Sequence, residues 1–243
     1  MSAEEVLARL PPGCRFGTIR WLAEATSTNR VALEAAEAGA PEGLVVIADF
    51  QTAGRGRLDR RWDAPAGTAL LLSALVRPVD LPPARWHLVT AAAGLAAREA
   101  CGRFGGPLPD LKWPNDLMIG ERKLAGILAE ATGDAVVIGV GCNVSAAPAG
   151  AAWLEETGAV DRAELAAGLL AGLDRRLGRW AEIADEYAST CATVGRRVRV
   201  ETAAGAVTGW ADAVDADGAL VVDGRAYAAG DVVHVRSPGG GGE

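Results

Sequence analysis

Strand and helix patterns do not alternate regularly along this 243-residue chain, and that irregular order limits the folds open to it. Apolar runs predict buried strands at 44–48 and 69–76, and a helical spacing of apolar residues predicts a long core helix at 85–103. Strand-like runs separated by turns follow as an antiparallel meander, at 111–119, 124–130 and 135–140. We therefore expect an α+β domain with a mixed or antiparallel sheet rather than a doubly wound parallel sheet.

The composition of the chain changes near Gly195. Short β-like runs divided by glycine and aspartate follow, at 196–201, 205–213, 219–222 and 232–236. This pattern predicts a small β-barrel. We divide the chain into a first domain, 1–192, and a barrel domain, 193–237. The last residues, 238–243, are mostly glycine, and we expect a disordered tail.

The overall charge and the cysteine pattern argue against several classes of protein. The net charge is −7, the wrong sign for a protein that mainly grips a phosphate backbone. Four scattered cysteines without a C-x-x-C pair indicate a reduced protein with no zinc or dithiol site. The longest apolar run, 69–76, is shorter than the roughly 20 residues that cross a bilayer, and the acidic N-terminus does not resemble a signal peptide. We expect a cytoplasmic protein that does not bind a membrane.

One short segment departs from this acidic character. Four arginines lie between Gly54 and Trp62, soon after the predicted strand at 44–48. The glycines of this segment allow large backbone excursions, and guanidinium groups bind phosphate or carboxylate through paired hydrogen bonds. The segment therefore predicts a flexible anion clamp, in which Trp62 pins the loop or packs on a ligand. For an arbitrary cluster of four arginines, a solvated basic loop is the alternative.

The common nucleotide-binding motifs do not fit this chain. Gly54-x-Gly56 follows a strand as in a dinucleotide fold, but Asp59 stands where the third glycine is needed. Gly139-x-Gly141 fails in the same way, at Val144. The sequence contains no G-x-x-x-x-G-K-[ST] motif. A nucleotide would therefore need another kind of site.

Polar residues are also concentrated in three other segments. The Ser-Thr-Asn segment at 27–29 precedes an amphipathic run, 31–38, and such residues commonly satisfy the free N–H groups of a helix N-terminus. A lysine and an asparagine of the segments 112–116 and 122–128 can face one cleft, with a positive charge and an amide. The aromatic residue, proline and aspartate of the 112–116 segment are equally typical of packing and turns.

Taken in order, these segments resemble the biotin protein ligase family. They are Ser27-Thr28-Asn29, Gln51-Thr52-Ala53-Gly54-Arg55-Gly56-Arg57, Lys112-Trp113-Pro114-Asn115-Asp116 and Arg122-Lys123-Leu124-Ala125-Gly126-Ile127-Leu128. Each segment is modest alone, but their order and spacing make the resemblance specific. It implies a catalytic domain similar to class II aminoacyl-tRNA synthetases, followed by an SH3-like domain at about 195–236.

The resemblance implies two half-reactions that use ATP and Mg²⁺. Biotin is first adenylated, and the mixed anhydride is then attacked by a lysine of a biotin carboxyl carrier protein, such as a subunit of acetyl-CoA carboxylase. The candidate catalytic residues are Lys123, Arg57 and Arg55, with Lys123 at the biotin carboxylate and the α-phosphate. Mg²⁺ is expected to enter with ATP rather than at a site made of protein ligands alone.

The same resemblance implies which residues bind each substrate. The candidate biotin-binding residues are Ser27, Thr28, Asn29, Gln51, Arg55, Gly56, Arg57 and Lys123. The candidate ATP-binding residues are Arg57, Arg60, Trp62, Asn115, Asn143 and Trp153, the last two at the adenine.

The chain departs from the family pattern at two places. Many members have a glycine where this chain has Asp59, whose negative charge is expected to affect closure of the arginine-rich segment. About 20 residues precede the catalytic core, too few for the winged helix of ligases that also act as repressors, so DNA binding is not expected. The resemblance leaves both a monomer and a homodimer open.

Two other functions stay open from the sequence. A lipoate ligase shares the adenylation chemistry, although the Gly-Arg-Gly-Arg segment favours biotin. A biotin-responsive regulator or scaffold without turnover is the second, although Lys123 and the four arginines argue against an inactive enzyme.

Overall fold

The computed structural model of the chain describes residues 1–202 and 205–235. Its larger sheet has seven strands in the order β1-β2-β3-β7-β6-β5-β4. The strands are β1 Thr18–Ala25, β2 Leu44–Gln51, β3 Ala69–Val76, β4 Asp110–Lys112, β5 Asp116–Ile119, β6 Arg122–Thr132 and β7 Ala135–Asn143. β1 and β2 are parallel, and the other neighbours are antiparallel. The predicted α+β class with a mixed sheet is confirmed.

Helices cover the two faces of this sheet unequally. The α-helices are α1 Ala3–Leu7, α2 Thr28–Glu37, α3 His87–Cys101, α4 Arg162–Arg176 and α5 Trp180–Thr190. Buried residues of α3, α4 and α5 join the large core on one face. On the other face, Ala32 and Ala36 of α2 pack in a small separate cluster. That second face is therefore covered by a helix over part of its length.

The central strand β3 shows how the sequence divides between these faces. All eight of its residues are buried, as expected of an apolar strand that is covered on both sides. Leu70 and Leu72 point into the large core, whereas Leu75 joins the cluster beneath α2. Because side chains alternate along a strand, Leu71 and Ser73 share the face of Leu75. The site described below lies on that face, beside the part that α2 covers.

The remaining strands form a second, antiparallel sheet, which we call the C-terminal sheet. Its order is β11-β10-β9-β8-β12. The strands are β8 Arg197–Thr202, β9 Gly205–Val214, β10 Leu220–Val222, β11 Arg225–Tyr227 and β12 Asp231–His234. Buried Val198, Val200 and Leu220 connect it to the large core. The predicted disordered tail, 238–243, lies outside the described residues.

Three local predictions differ from the structure. The predicted strand 111–119 is divided into β4 and β5 by a turn, because Pro114 has no N–H to donate to a strand ladder. α2 begins at Thr28, three residues before the predicted helix 31–38. β11 is missing from the predicted strands, and it is three residues long, too short for a clear period-2 pattern.

Candidate active site

Three glycines form the floor of a cavity of about 110 Å³ on the open face of the larger sheet. A Cβ atom added to Gly139 would lie 2.0 Å from Asn29 Oδ1, and one added to Gly141 would lie 2.6 Å from the Trp62 ring. A Cβ on Gly126 would meet the same indole at 3.3 Å. The absence of side chains at these positions therefore lets polar and aromatic groups lie directly on the sheet.

One end of the cavity is built by the start of α2 and by its neighbours in the sheet. The Thr28 N–H donates to Gln51 Oε1 at 2.7 Å, and the Thr28 hydroxyl donates to the same oxygen at 3.1 Å. Ser73 Oγ lies 2.7 Å from Thr28 Oγ1 and 2.6 Å from Asn29 Oδ1. The Asn29 amide donates to Leu128 O at 3.1 Å. Hydrogen bonds between α2, β2, β3 and β6 therefore fix this end.

The helix-capping alternative is wrong for the Ser27 side chain. Ser27 has the extended backbone of a residue before a helix, but its side chain makes no capping hydrogen bond. The Thr28 N–H is the first of the helix, and a capping side chain does not reach it, because such a side chain accepts from the second or third helical N–H. Gln51 Oε1 accepts from it here. Ser27 is 3% exposed and lines the cavity.

The other end of the cavity is formed by residues 54–62, which we call the arginine loop. Its base is closed by the bridge between Arg55 and Arg61 and by the hydrogen bond from Trp62 N–H to Gly54 O at 3.1 Å. At its crest, Leu58 and Asp59 have positive φ angles of 52° and 57°. Aspartate tolerates this left-handed conformation better than most residues, which explains how Asp59 fits where a glycine is expected.

Five cations line this cavity, and each has an acceptor nearby, including Arg61, which pairs with Asp63 at 3.4 Å. Arg55 pairs with Glu130 at 2.9 Å, and Lys123 Nζ lies 2.6 Å from Asp116 Oδ1. The Arg57 guanidinium donates to Asn115 Oδ1 at 3.1 Å and to Gly230 O at 2.9 Å, and Arg60 pairs with Asp231. These residues come from the loop, from β6 and from the segment 112–116, so the predicted convergence of cations is present.

Arg57 is the most enclosed of the loop arginines. Burial lowers the pKa of its guanidinium below the usual value, Asp231 and Asp116 act in the opposite direction, and Arg60 adds to the lowering. The group stays a cation at neutral pH, because an arginine is not deprotonated in proteins. It is therefore a fixed positive charge at the wall of the cavity.

Eleven predicted site residues line this one cavity. They are Ser27, Thr28, Asn29, Gln51, Arg55, Gly56, Arg57, Arg60, Trp62, Asn115 and Lys123. Within this set, Asn115 donates from its amide to Ile127 O at 2.8 Å, which fixes it beside β6.

Asn143 and Trp153 lie outside the cavity. Asn143 shares a face of β7 with Gly139 and Gly141, because the side-chain period of a strand is two residues. Its amide donates to Ala152 O at 2.9 Å, and its Oδ1 is buried without a hydrogen-bond partner among the described residues. The Trp62 indole lies over Gly141, next to Asn143 along the strand, and Trp153 lines a different pocket.

Sequence reasoning missed several residues of the cavity. Asp116, noted as a turn residue, pairs with Lys123, and Asp231 enters from the C-terminal sheet. Gly139 and Gly141 were noticed as part of a failed dinucleotide motif, whereas isolated glycines in a strand indicate close approach of another group. That signal would have identified the floor. No local pattern marks Asp231, which reaches the site through the tertiary fold.

The described part of the chain shows neither a membrane-spanning helix nor a cluster of metal ligands. In residues 1–202 and 205–235, no helix is long and apolar enough to span a membrane. The same residues contain no group of three or more His, Cys, Asp and Glu side chains arranged to hold a metal ion.

Comparisons with known proteins agree with this geometry. The model of the biotin/lipoate A/B protein ligase family matches residues 21–144, or 124 of the 243 residues, and the biotin protein ligase C-terminal domain matches residues 193–235. The biotin–[acetyl-CoA-carboxylase] ligase of Mycobacterium tuberculosis is 42% identical, over 88% of this chain and 88% of that protein. The ligase of the same name from Paracoccus denitrificans is 35% identical, over 84% of this chain and 94% of its own length.

A solved structure extends the similarity to the whole fold. The biotin protein ligase of Aquifex aeolicus in complex with biotin and ATP has a TM-score of 0.79 and 26% identity, over 90% of this chain and 99% of the other. With the family model and the two curated relatives, this similarity shows that the chain belongs to the biotin/lipoate A/B protein ligase family, among its biotin protein ligases.

Proposed function

We propose that this ligase activates biotin with ATP and transfers it to a lysine of a biotin carboxyl carrier protein. The observation that carries the proposal is the single cavity in which a neutral hydrogen-bonding end meets five cations. Biotin offers a polar ureido ring at one end and a carboxylate at the other, and this arrangement matches both. The relatives named above act on acetyl-CoA carboxylase, and we extend that carrier to this chain.

In the first half-reaction, an oxygen of the biotin carboxylate attacks the α-phosphorus of ATP. The bond to the β-phosphate breaks, and biotinyl-AMP and pyrophosphate form. Two anions must meet for this step, so Lys123 and Arg57 offset their repulsion and stabilise the charge that builds on the transferred phosphate. Asp116 holds Lys123 in the cavity at 2.6 Å until the substrates provide other acceptors.

In the second half-reaction, the neutral ε-amine of the carrier lysine attacks the carbonyl carbon of biotinyl-AMP. The carbon–oxygen bond to AMP breaks, an amide forms, and the amine loses a proton. Arg57 and Arg55 of the arginine loop are proposed to cover the intermediate and exclude water, which would otherwise hydrolyse the anhydride.

We assign the neutral end of the cavity to the ureido ring of biotin. Ser27, Thr28 and Gln51 offer hydroxyl and amide groups there, and both buried hydroxyls belong to residues less than 5% exposed. Asn29 contributes by holding this end together through Leu128 O. Gly56 backbone and Arg55 would close over the ring from the arginine loop.

We assign the other side of the site to ATP. Arg60, Arg57 and Asn115 are proposed to contact the phosphates, and Asn143 and Trp153 the adenine. The buried, unpartnered Asn143 Oδ1 supports this assignment, because it can accept from the exocyclic amine of adenine. The Trp62 indole lies on the sheet over Gly141, beside Asn143. We therefore propose that the indole turns aside when the nucleotide binds.

We propose that Mg²⁺ enters with ATP and is held mainly by phosphate oxygens. Asp116 is a carboxylate among the lining residues that can join them once Lys123 turns to the substrates, and one or two carboxylates with substrate phosphates are a usual Mg²⁺ environment. Bound Mg²⁺ neutralises phosphate charge. We also propose that the enzyme works in the cytoplasm, independently of DNA and membranes, as a monomer or homodimer.

Exchange of labelled pyrophosphate into ATP tests the first half-reaction. We expect exchange that depends on biotin and not on lipoate; the opposite dependence would assign the chain to lipoate. Incubation with ATP, Mg²⁺, biotin and a purified carrier domain, followed by detection of biotin on the carrier, tests the second. Exchange without transfer would indicate a protein that makes the intermediate but does not act as a ligase. Absence of both exchange and transfer would favour a protein that only binds biotin.

A further inference from the structure

The crest of the arginine loop is held by residues from a distant part of the chain. Two acceptors of Arg57 and Arg60 lie at the start of β12: Gly230 O, directly before the strand, and the carboxylate of Asp231, its first residue. More than 170 residues separate these partners in sequence. The loop that is proposed to bind phosphate is therefore tied to a second sheet without substrate.

The two acceptors are themselves fixed. Asp231 is the first residue of β12, which pairs with β8 so that Asp231 lies opposite Glu201. Gly230 lies against the same strand, because an added Cβ would meet Val200 Cγ1 at 2.8 Å and Glu201 O at 3.1 Å. Because β12 pairs with β8 along its length, the turn that leads into β12 is held close to β8 and can support the loop.

The crest needs such support. Leu58 at the crest is 67% exposed, and it and Asp59 have positive φ angles. Arg57 and Arg60 also repel each other, as the effect of Arg60 on the pKa of Arg57 indicates. A carboxylate beside both guanidinium groups offsets that repulsion, and the Asp231 side chain is 18% exposed, which limits screening by water.

We propose that Asp231 is a positioning residue for ATP: from the C-terminal sheet, its carboxylate holds Arg60, and with Gly230 O it holds the loop crest, where the phosphates bind. A guanidinium has five N–H donors, so Arg60 can keep Asp231 and still donate to a phosphate. Asp231 therefore acts through Arg60 on nucleotide binding. It has no part at the biotin end, which Gln51 and Ser73 fix separately.

This proposal rests on the proposed function, and steady-state kinetics of pyrophosphate exchange test it. We expect Asp231→Asn and Asp231→Ala to raise KM for ATP by about two- to fivefold, the range of one partly exposed ion pair. KM for biotin and kcat should stay within about twofold, because the biotin end and Lys123 are untouched. Asp231→Glu should restore most of the ATP affinity.

Glu201→Gln is the matched control. Glu201 is directly opposite Asp231 on β8 and carries the same charge, but its carboxylate pairs with Arg199 at 3.3 Å and does not line the cavity. We expect wild-type KM values for this variant. If KM for ATP rose as much in Glu201→Gln as in Asp231→Asn, the effect would come from the loss of any negative charge in this region, and the proposal would be wrong.

Limited digestion by trypsin provides a second measurement, because the arginine loop contains four cleavage sites. Without ligands, Asp231→Asn should be cut in the loop faster than wild type and Glu201→Gln. The proposal would be wrong if KM for ATP were unchanged or lowered in Asp231→Asn and Asp231→Ala. It would also be wrong if KM for ATP and KM for biotin changed equally in these variants. If wild type itself shows no biotin-dependent exchange, the proposed function fails instead.

Discussion

The two ends of the cavity are built in different ways. At the neutral end, the buried Thr28 hydroxyl donates to Gln51 and accepts from Ser73, and all three residues lie on regular helix or strand. At the charged end, arginines on a loop pair with carboxylates and carbonyls from elsewhere in the chain. The neutral end is therefore preorganised for a neutral group, whereas the charged end consists of ion pairs whose carboxylates anionic substrates can replace.

The largest effect is expected at the charged end, from Lys123→Ala. Lys123 is proposed to act on the carboxylate and the α-phosphate, so its loss should lower the rate of adenylate formation by about 30- to 1,000-fold, or about 2–4 kcal/mol. The side chain is 40% exposed, so the fold should persist. Single-turnover formation of biotinyl-AMP and circular dichroism measure the two quantities.

Lys112→Ala is the control for this substitution. Lys112 lies on β4, outside the cavity, and lines a different groove with His234. Its replacement should leave the rate of adenylation near that of wild type. If Lys123→Ala also turned over near normally, Lys123 would have to be removed from the mechanism, and the charged end would depend on the arginines alone.

The next effect is expected at the neutral end, from Gly139→Ala. The new methyl group would lie 2.0 Å from Asn29 Oδ1 and would displace this amide from Ser73 and Leu128. Forcing a methyl group into a packed site costs about 1–3 kcal/mol, so we expect a fall of that size in the free energy of unfolding. Biotin affinity should fall by about tenfold or more.

Urea denaturation and calorimetric titration with biotin measure these losses. Gly17→Ala is the control, because its new Cβ would have only an ordinary contact, 3.8 Å from Cys14 O. A Gly139→Ala variant that binds biotin like wild type would contradict the idea that this end is rigid. The two ends would then differ in charge but not in preorganisation.

A smaller effect is expected from Arg57→Ala. The loop would lose its contacts with Asn115 and Gly230, so we expect biotinyl-AMP to leave about tenfold faster, the equivalent of about 1.4 kcal/mol. Release of labelled intermediate from the preloaded enzyme measures this rate. Arg30→Ala, which removes an exposed pair with Glu34 on α2, should release it at the wild-type rate. Equal release from both variants would rule out the clamp role.

The sequence predicted the neutral end and the loop better than their surroundings. The family resemblance implied Gln51 and Lys123 as site residues, and the segments that contain them meet in one cavity. The apolar strand 69–76 was predicted with its observed bounds because all its residues are buried. The bounds of a buried strand depend on local composition, which a sequence displays directly, whereas the site residues followed from the order and spacing of the family segments.

What the sequence could not predict depends on long-range contacts. Asp231 belongs to the C-terminal sheet, and its place in the cavity follows from the packing of that sheet on the first part of the chain. The Trp62 indole over Gly141 is a tertiary contact, and it accounts for the separation of the cavity from Asn143. Ser27 has the sequence position of a capping residue, but its side chain makes no capping hydrogen bond and lines the cavity.

The smallest effect concerns pH and the C-terminal sheet. Burial, then Lys112 and Arg196, lowers the pKa of His234 from 6.5 to about 4, with Glu121 acting in the opposite direction. The folded protein therefore keeps His234 neutral where the unfolded chain binds a proton. Its contribution to stability is present above pH 6.5 and is lost as the pH falls towards 4.

We expect this loss to affect the two ends of the cavity differently. His234 lies on β12 with Asp231, so acid should loosen the support of the arginine loop before it affects the neutral end. After allowance for solvent screening, we expect about 1 kcal/mol of stability to be lost between pH 6.5 and 4. His234→Gln should remove that part of the pH dependence, as measured by urea denaturation. An identical pH profile in the variant would show that the loss arises elsewhere, and that β12 does not couple acid to the loop.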